Sequence, residues 1–265
     1  MAERLTKVER REIAREKARI LQLEQEKRDK RNRMFMIGGA VFLVLLVALA
    51  VWAIVANANK SHLDGVDAPA GADLQGGITV GSSLEAGTAN EGAPVVKVYS
   101  DYTCSYCAMF DEINAEDLGA MAKDGLITLS LHPVAILDQS GDFSGYTSLA
   151  ANAAATVAQY APASFLAFNS ALFEEYRTAS EEYKTSGTMV LPDLAGIQQI
   201  ALDLGVSSDV TARFADGEFI DWVEATTRQF YADGFKGTPA VFVDGEQLTN
   251  EWQDAGAIRA MITGE

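Results

Sequence analysis

The chain has 265 residues, enough for one sizeable domain with accessory segments. Its net charge of −16 is unevenly spread: residues 1–33 carry 12 Lys/Arg against 7 Asp/Glu, and residues 57–265 carry 9 against 30. So acidic a main body repels nucleic acid, and two cysteines are too few for a disulfide framework.

The basic segment 1–33 reads as a charged tail, with Leu5, Val8, Ala14, Ala18 and Leu21 spaced as in a solvated helix. Residues 35–56 form a run of 22 without a charge, and the span is placed at 34–56. As a helix those 22 residues extend about 33 Å, enough to cross a ~30 Å hydrocarbon core. Lys27, Arg28, Lys30, Arg31 and Arg33 precede it, and only Lys60 follows closely. The positive-inside rule then keeps the N-terminus in the cytoplasm, against the lipid bilayer, and sends the remainder out. A cleaved signal peptide is the competing reading, since Ala56-Asn57-Ala58 has small residues at the cleavage spacing. The apolar run exceeds a signal core of 7–15 residues, which favours a retained signal-anchor.

Residues 57–77 contain Gly65, Pro69, Gly71 and Gly76 and no long apolar run, the composition of a flexible linker. The domain proper is expected over 78–265. Ile78 to Val80 suggests a short edge strand, and Val95 to Tyr99 a β-branched strand that runs into the two cysteines. A helix is expected over 107–122, ended by Gly125. Ile127, Leu129 and Leu131 then alternate with polar residues as in a half-buried strand, completing a parallel strand–helix–strand unit.

From about 141 to 235 the pattern turns helical throughout. Residues 148–159 are rich in Ala, and Phe165, Phe168, Leu172, Phe173 and Tyr176 form one stripe. Ile197, Ile200, Ala201 and Leu204 form another, and Ser207 or Ser208 caps a helix carrying Val210, Phe214, Ile220, Val223, Thr227 and Phe230. About four helices are expected, their aromatic residues serving as core. Ala240 to Val243 is the next strand, Asp244-Gly245 a hairpin turn, Gln247-Leu248 the return strand, and Asn250 the cap of a last helix with Trp252, Ala255, Ile258 and Ile262.

The chemistry centres on Cys104-Ser105-Tyr106-Cys107, at the junction of a strand and a helix. Free N–H groups and the helix dipole there favour a thiolate at Cys104, and Cys107 lies one turn on, in reach of a disulfide. A protein thiolate would attack the Cys104 sulfur and expel Cys107; in the reducing direction the roles reverse. A purely structural disulfide is a weak alternative, because so small a loop constrains the unfolded chain by only ~2 kcal/mol. Half of a zinc site would need two more ligands, and His62 and His132 stand apart. No metal and no cofactor is expected. Pro239 follows Thr238, whose backbone would hold an extended substrate peptide like an added strand if the bond is cis; a trans proline opening a strand is the alternative. His132 ends the second strand of the crossover unit, where it either tunes the thiolate or is a structural histidine before Pro133.

Residues 95–107, ending in Thr103-Cys104-Ser105-Tyr106-Cys107, together with residues 237–245, beginning Gly237-Thr238-Pro239, resemble the DsbA-like branch of the thioredoxin superfamily, especially its membrane-anchored members in Gram-positive bacteria and actinobacteria. The resemblance covers about 78–265. It implies an α/β thioredoxin fold, a central mixed sheet flanked by helices, with an all-helical insertion. It also implies Cys104 as nucleophile, Cys107 as its partner and a cis Pro239. Exported proteins with cysteine thiols would be the substrates, and a DsbB-like or vitamin K epoxide reductase-like membrane protein the reoxidant. Three positions depart from the family's strongly oxidising members: Ser105 stands where they often have Pro, Tyr106 where they often have His, and Val98 where a buried acid is frequent. These departures leave the reaction type intact and the direction of electron flow open. The expected function is an extracytoplasmic oxidase that introduces disulfides into exported proteins through Cys104 and Cys107; a reductase or isomerase, as in cytochrome maturation, and a non-catalytic peptide-binding scaffold are the alternatives.

Overall fold

The computed structural model describes residues 7–58 and 61–264. The expectations for residues 1–6 and 59–60 lie outside them. Contacts divide the chain into two units, residues 1–60 and 61–265.

In the first unit a single helix, α1 (Lys7–Ala58), runs without a break from the charged segment through the apolar one. A window within Arg19–Trp52 reaches a mean hydropathy of 2.8, and none of it is buried against protein. Its large apolar side chains from Met34 to Trp52 are exposed. By length and composition it is a candidate membrane span.

The second unit is built on a five-stranded mixed sheet of β1 (Ile78–Val80), β2 (Val95–Ser100), β3 (Thr128–Pro133), β4 (Ala240–Val243) and β5 (Glu246–Leu248), in the order β1-β3-β2-β4-β5. β2 and β3 are parallel, joined through α2 (Ser105–Lys123), and every other pairing is antiparallel. β3 has a neighbour on each side and is buried on both faces, not on one as its alternation suggested. Its polar residues Ser130 and His132 look inward because residues before β1 cover that face. Asp244 and Gly245 turn the β4–β5 hairpin with φ of 48° and 88°, the positive values a two-residue turn of this type requires.

Between β3 and β4 lie α3 (Tyr146–Tyr160), α4 (Phe165–Ser186), α5 (Leu194–Asp203), α6 (Ser208–Ala212) and α7 (Ile220–Ala232). The stripe Phe165, Phe168, Leu172 and Phe173 is fully buried, and Ser207 caps α6 by accepting from the Val210 N–H. The helix expected from Ser207 through Phe230 is two helices, since Gly217 takes a left-handed φ of 63° and the chain turns before α7. The last expected helix also starts late. Asn250 makes no side-chain cap, a short 3-10 turn holds Trp252, and α8 (Ala257–Thr263) begins only after Gly256.

Residues 61–77 do not hang free as a linker. They form a strap on the domain. The Ser61 hydroxyl and His62 N–H donate to Gln229 of α7, and the Ala70 N–H donates to Gln159 of α3. Leu63, Val66 and Ala72 pack on the main core. The glycines allow close approach: a Cβ on Gly71 would lie 1.9 Å from the Gly87 Cα, and one on Gly77 would lie 2.2 Å from the Ser130 hydroxyl.

Candidate active site

Cys104 is the N-cap residue of α2, at extended φ and ψ of −90° and 118°, and its carbonyl accepts from the Cys107 and Ala108 N–H groups. β2 thus delivers the residue directly to the helix tip. Cys104 is 8% exposed and Cys107 1%, and both are free thiols. The two sulfurs are pushed in opposite directions. The Cys104 thiol is lowered to about 6, first by a hydrogen bond from Cys107, against a desolvation that raises it, with help from Thr238 and the backbone N–H groups of Cys107 and Tyr106. The Cys107 thiol is raised well above the ordinary 9.0, mainly by burial and by the neighbouring Cys104. One sulfur is built to carry charge and the other to hold a proton.

Thr238 meets the pair from the far side of the sequence. Its carbonyl accepts from the Cys104 thiol at 3.3 Å, and the bond from Thr238 to Pro239 is cis. The Thr238 hydroxyl is buried without a conventional partner, and it lowers the pKa of both sulfurs. A thiolate at Cys104 would supply the acceptor that this donor lacks. Of the two intervening residues, Tyr106 is 59% exposed, and Ser105, also exposed, lines an open groove with Met109 and Glu112.

His132 is not part of this group. β2 and β3 send alternate residues to opposite faces, so Val98, Ser100, Leu129 and Leu131 face α2 while Lys97, Tyr99, Ser130 and His132 face the strap and α7. The His132 ring is 0% exposed, hydrogen-bonded to Ser130 at 3.0 Å and to the Gln75 carbonyl at 3.3 Å, and stacked on Tyr99 with centroids 4.1 Å apart. Burial holds its pKa down to about 4, although nearby Asp73 pulls the other way. It is the structural histidine of the two readings. Lys97, on the same face, reaches the Gln75 side chain in the strap.

Sequence patterning alone does not mark the residues that fix the cysteine loop. The Asp101 carboxylate is fully buried and accepts from the Thr103 N–H and hydroxyl, the Leu137 N–H and the Thr147 hydroxyl of α3. Its spacing to Thr103 is the Asx-turn signal, legible in the sequence as a turn though not as an anchor. Tyr102 donates to Asn169 of α4 at 2.8 Å and packs on Phe173. On α2, Asp111 accepts from Ser170 at 2.9 Å, with the Arg177 guanidinium 3.7 Å away. The helical insertion therefore grips the loop through α3 on one side and α4 on the other. Among the described residues no cluster of His, Cys, Asp or Glu has the makings of a metal site.

A protein-family model described as Thioredoxin matches residues 86–262. No curated protein sequence matches the chain. Among solved structures, one titled MdbA, a thiol-disulfide oxidoreductase from Actinomyces oris, is 29% identical and aligns over 78% of this chain and 100% of its own, with a TM-score of 0.60. Reduced DsbA from Mycobacterium tuberculosis is 26% identical over 71% and 91%, at 0.58. DsbG from the same organism, titled a disulfide bond oxidoreductase, is 27% identical over 73% and 88%, at 0.59. With its paired cysteines capping the helix that follows β2 and a helical insertion between β3 and β4, the chain belongs to the thioredoxin family and has the architecture of its DsbA-like thiol–disulfide oxidoreductases.

Proposed function

We propose that this chain is a membrane-anchored protein disulfide oxidoreductase that works outside the cytoplasm and oxidises cysteine pairs of exported proteins. Cys104 is the sulfur attacked, Cys107 the sulfur expelled, and the Thr238–Pro239 backbone the edge that holds the substrate chain. The opposite push on two sulfurs three residues apart carries this reading. At pH 7 a thiol of pKa about 6 is mostly thiolate. A thiolate held this well favours the dithiol form, and a pair whose reduced form is favoured readily oxidises others. The stabilisation is complete above the ordinary thiol pKa of 9.0 and declines as pH falls through about 6.

The charge step across the apolar part of α1 supports a cytoplasmic N-terminus and an outer catalytic domain, and disulfide chemistry persists in that oxidising compartment. A quinone-linked membrane protein, DsbB-like or vitamin K epoxide reductase-like, would restore the disulfide.

Equilibration of the pair against dithiothreitol or glutathione buffers tests the direction. The expected potential is well above thioredoxin's value of about −270 mV, and a value near that figure would reassign the protein to reduction. Iodoacetamide labelling of Cys104 is expected to titrate near pH 6. Mass identification of substrates trapped on Cys107→Ser should return exported proteins, and an impermeant maleimide should label Cys104 in intact cells.

A further inference from the structure

The helix that carries Cys104 at its tip also forms one wall of a groove. Ser105, Met109 and Glu112 recur along α2 at helical spacing, and Glu174, Arg177 and Glu181 recur along α4 to form the other wall. The two helices are pinned together: Arg177 donates to the Ala108 carbonyl at 3.0 Å, and Ser170 donates to Asp111 at 2.9 Å. The groove between them has a volume of about 710 Å³ and is open to solvent. Its Ser105 end adjoins Cys104, so a chain joined to that sulfur has its neighbouring residues at the mouth of the groove.

The charge of the groove is one-sided. Its lining includes the carboxylates of Glu112, Glu174, Glu181 and Glu182 and the cations of Arg177 and Lys184. Both cations are already engaged, Arg177 with Glu174 and Lys184 with Glu181. Among the described residues the carboxylates of Glu112 and Glu182 have no hydrogen bond and no ion pair, and both residues are exposed. Two negative charges therefore line the space open to a substrate chain, and walls of low dielectric focus their field there. The rise of an α-helix puts Glu112 about 10 Å along α2 from Ser105, the reach of about three residues of extended chain.

We propose that this groove selects substrate segments with a Lys or Arg about three residues from the reacting cysteine, and that Glu112 and Glu182 set the preference. It rests on the exchange reaction proposed above and names the substrate class of that site: basic, cysteine-bearing segments of unfolded protein. The substrate thiolate bonds to the Cys104 sulfur, and the bond between Cys104 and Cys107 breaks with its electron pair going to Cys107. The cationic side chain docks between α2 and α4 in the encounter that precedes the new bond, and an acidic flank is repelled at the same place. An acidic domain attracts basic chains from every side, but only the groove makes the attraction depend on the distance from the cysteine.

The test uses the oxidised full chain and excess single-cysteine peptide, two peptide thiols becoming one peptide disulfide as the protein gains its dithiol. The peptides are otherwise neutral, with a Lys, Gln or Glu placed about three or about nine residues from the cysteine on either side. Each rate is divided by that of the same peptide with neutral 2-hydroxyethyl disulfide, which removes the effect of the added charge on the peptide thiol itself. At low salt the Lys peptide of short spacing should react about fivefold faster than its Gln counterpart on at least one side, the Glu peptide should be slowest, and the order should fade at high salt. At the long spacing the gain from Lys should stay below about twofold. Glu112→Gln/Glu182→Gln should remove the short-spacing advantage, and Glu112→Lys/Glu182→Lys should reverse it in favour of Glu. Glu246 pairs with Val243, which pairs with Val96 near the start of β2, and Glu91 precedes that strand, so Glu91→Gln/Glu246→Gln deletes the same charge at the opposite end of the sheet and should leave the preference in place. Reduction by neutral 2-mercaptoethanol should stay within about twofold in every variant, the sign of an intact cysteine loop. Equal rates for the Lys, Gln and Glu peptides at short spacing overturn the proposal, and so does a preference that ignores spacing or survives the charge-swapped variant. A protein disulfide that reacts with no peptide faster than 2-hydroxyethyl disulfide does overturns the exchange reading itself.

Discussion

The two faces of the central sheet use the same strands for opposite ends. On the face toward α2 and α4, Val98, Ser100, Leu129 and Leu131 border the Cys107 cavity, where Asp111 accepts from the Ser170 hydroxyl at 2.9 Å. On the other face, Lys97, Tyr99, Ser130 and His132 are closed in by the strap and α7, with Ser130, His132, Asp73 and Gln75 joined in one hydrogen-bonded network. A satisfied network rigidifies what it joins. One face therefore serves reaction and the other serves stability, and the alternation of side chains along β2 and β3 is what separates them.

Substitutions on the reactive side should move rates and leave stability nearly unchanged. Cys104→Ser has the largest expected effect: disulfide exchange with a reduced unfolded protein falls to background, and the thermal midpoint shifts by only a few degrees. Full exchange by that variant would erase the division. Asp101→Ala lies at the seam of the two regimes. It strips four donors of their acceptor, and a loss of about 3 kcal/mol in urea unfolding of the dithiol form is expected, with slower Cys104 alkylation as the loop loosens.

The structural face should answer to pH through His132. Its folded pKa of about 4 lies below the ordinary 6.5, so the stability it confers is complete above 6.5 and is lost as pH falls toward 4. The slope reaches at most about 1.4 kcal/mol per pH unit. Urea unfolding at several pH values should show this in the wild type and a flatter dependence in His132→Gln, while the Cys104 alkylation midpoint is the same in both. A shift of that midpoint would join the two faces that the structure separates. The smallest effect is expected from Thr238→Val, which removes the hydroxyl beside both sulfurs and keeps the shape. The alkylation midpoint of Cys104 should rise by up to about one unit, with no loss of stability, because this hydroxyl has no conventional partner to lose.

Much of this site was legible in the chain. The apolar span, the strand into Cys104, the helix beginning at the cysteines, the parallel crossover and the hairpin at Asp244-Gly245 all follow from local periodicity and turn chemistry, and the structure has each of them. The strap misled because its glycines read as freedom. At Gly71 and Gly77 they serve contact with Gly87 and Ser130, residues whose proximity no local pattern announces. The helix ending at Phe230 misled because a periodic stripe continues through Gly217, where the backbone turns.

The sequence by itself determined that Cys104 would meet a helix tip and that Cys107 would lie one turn behind it, since both follow from a short spacing at a strand-to-helix junction. Only the tertiary structure decided which buried acids attend them. Asp101 is bound by Leu137 and Thr147, Asp111 shares a cavity with Cys107, and His132 sits on the far face. Those relations join residues tens of positions apart, and packing sets them rather than the conformational preference of any one segment.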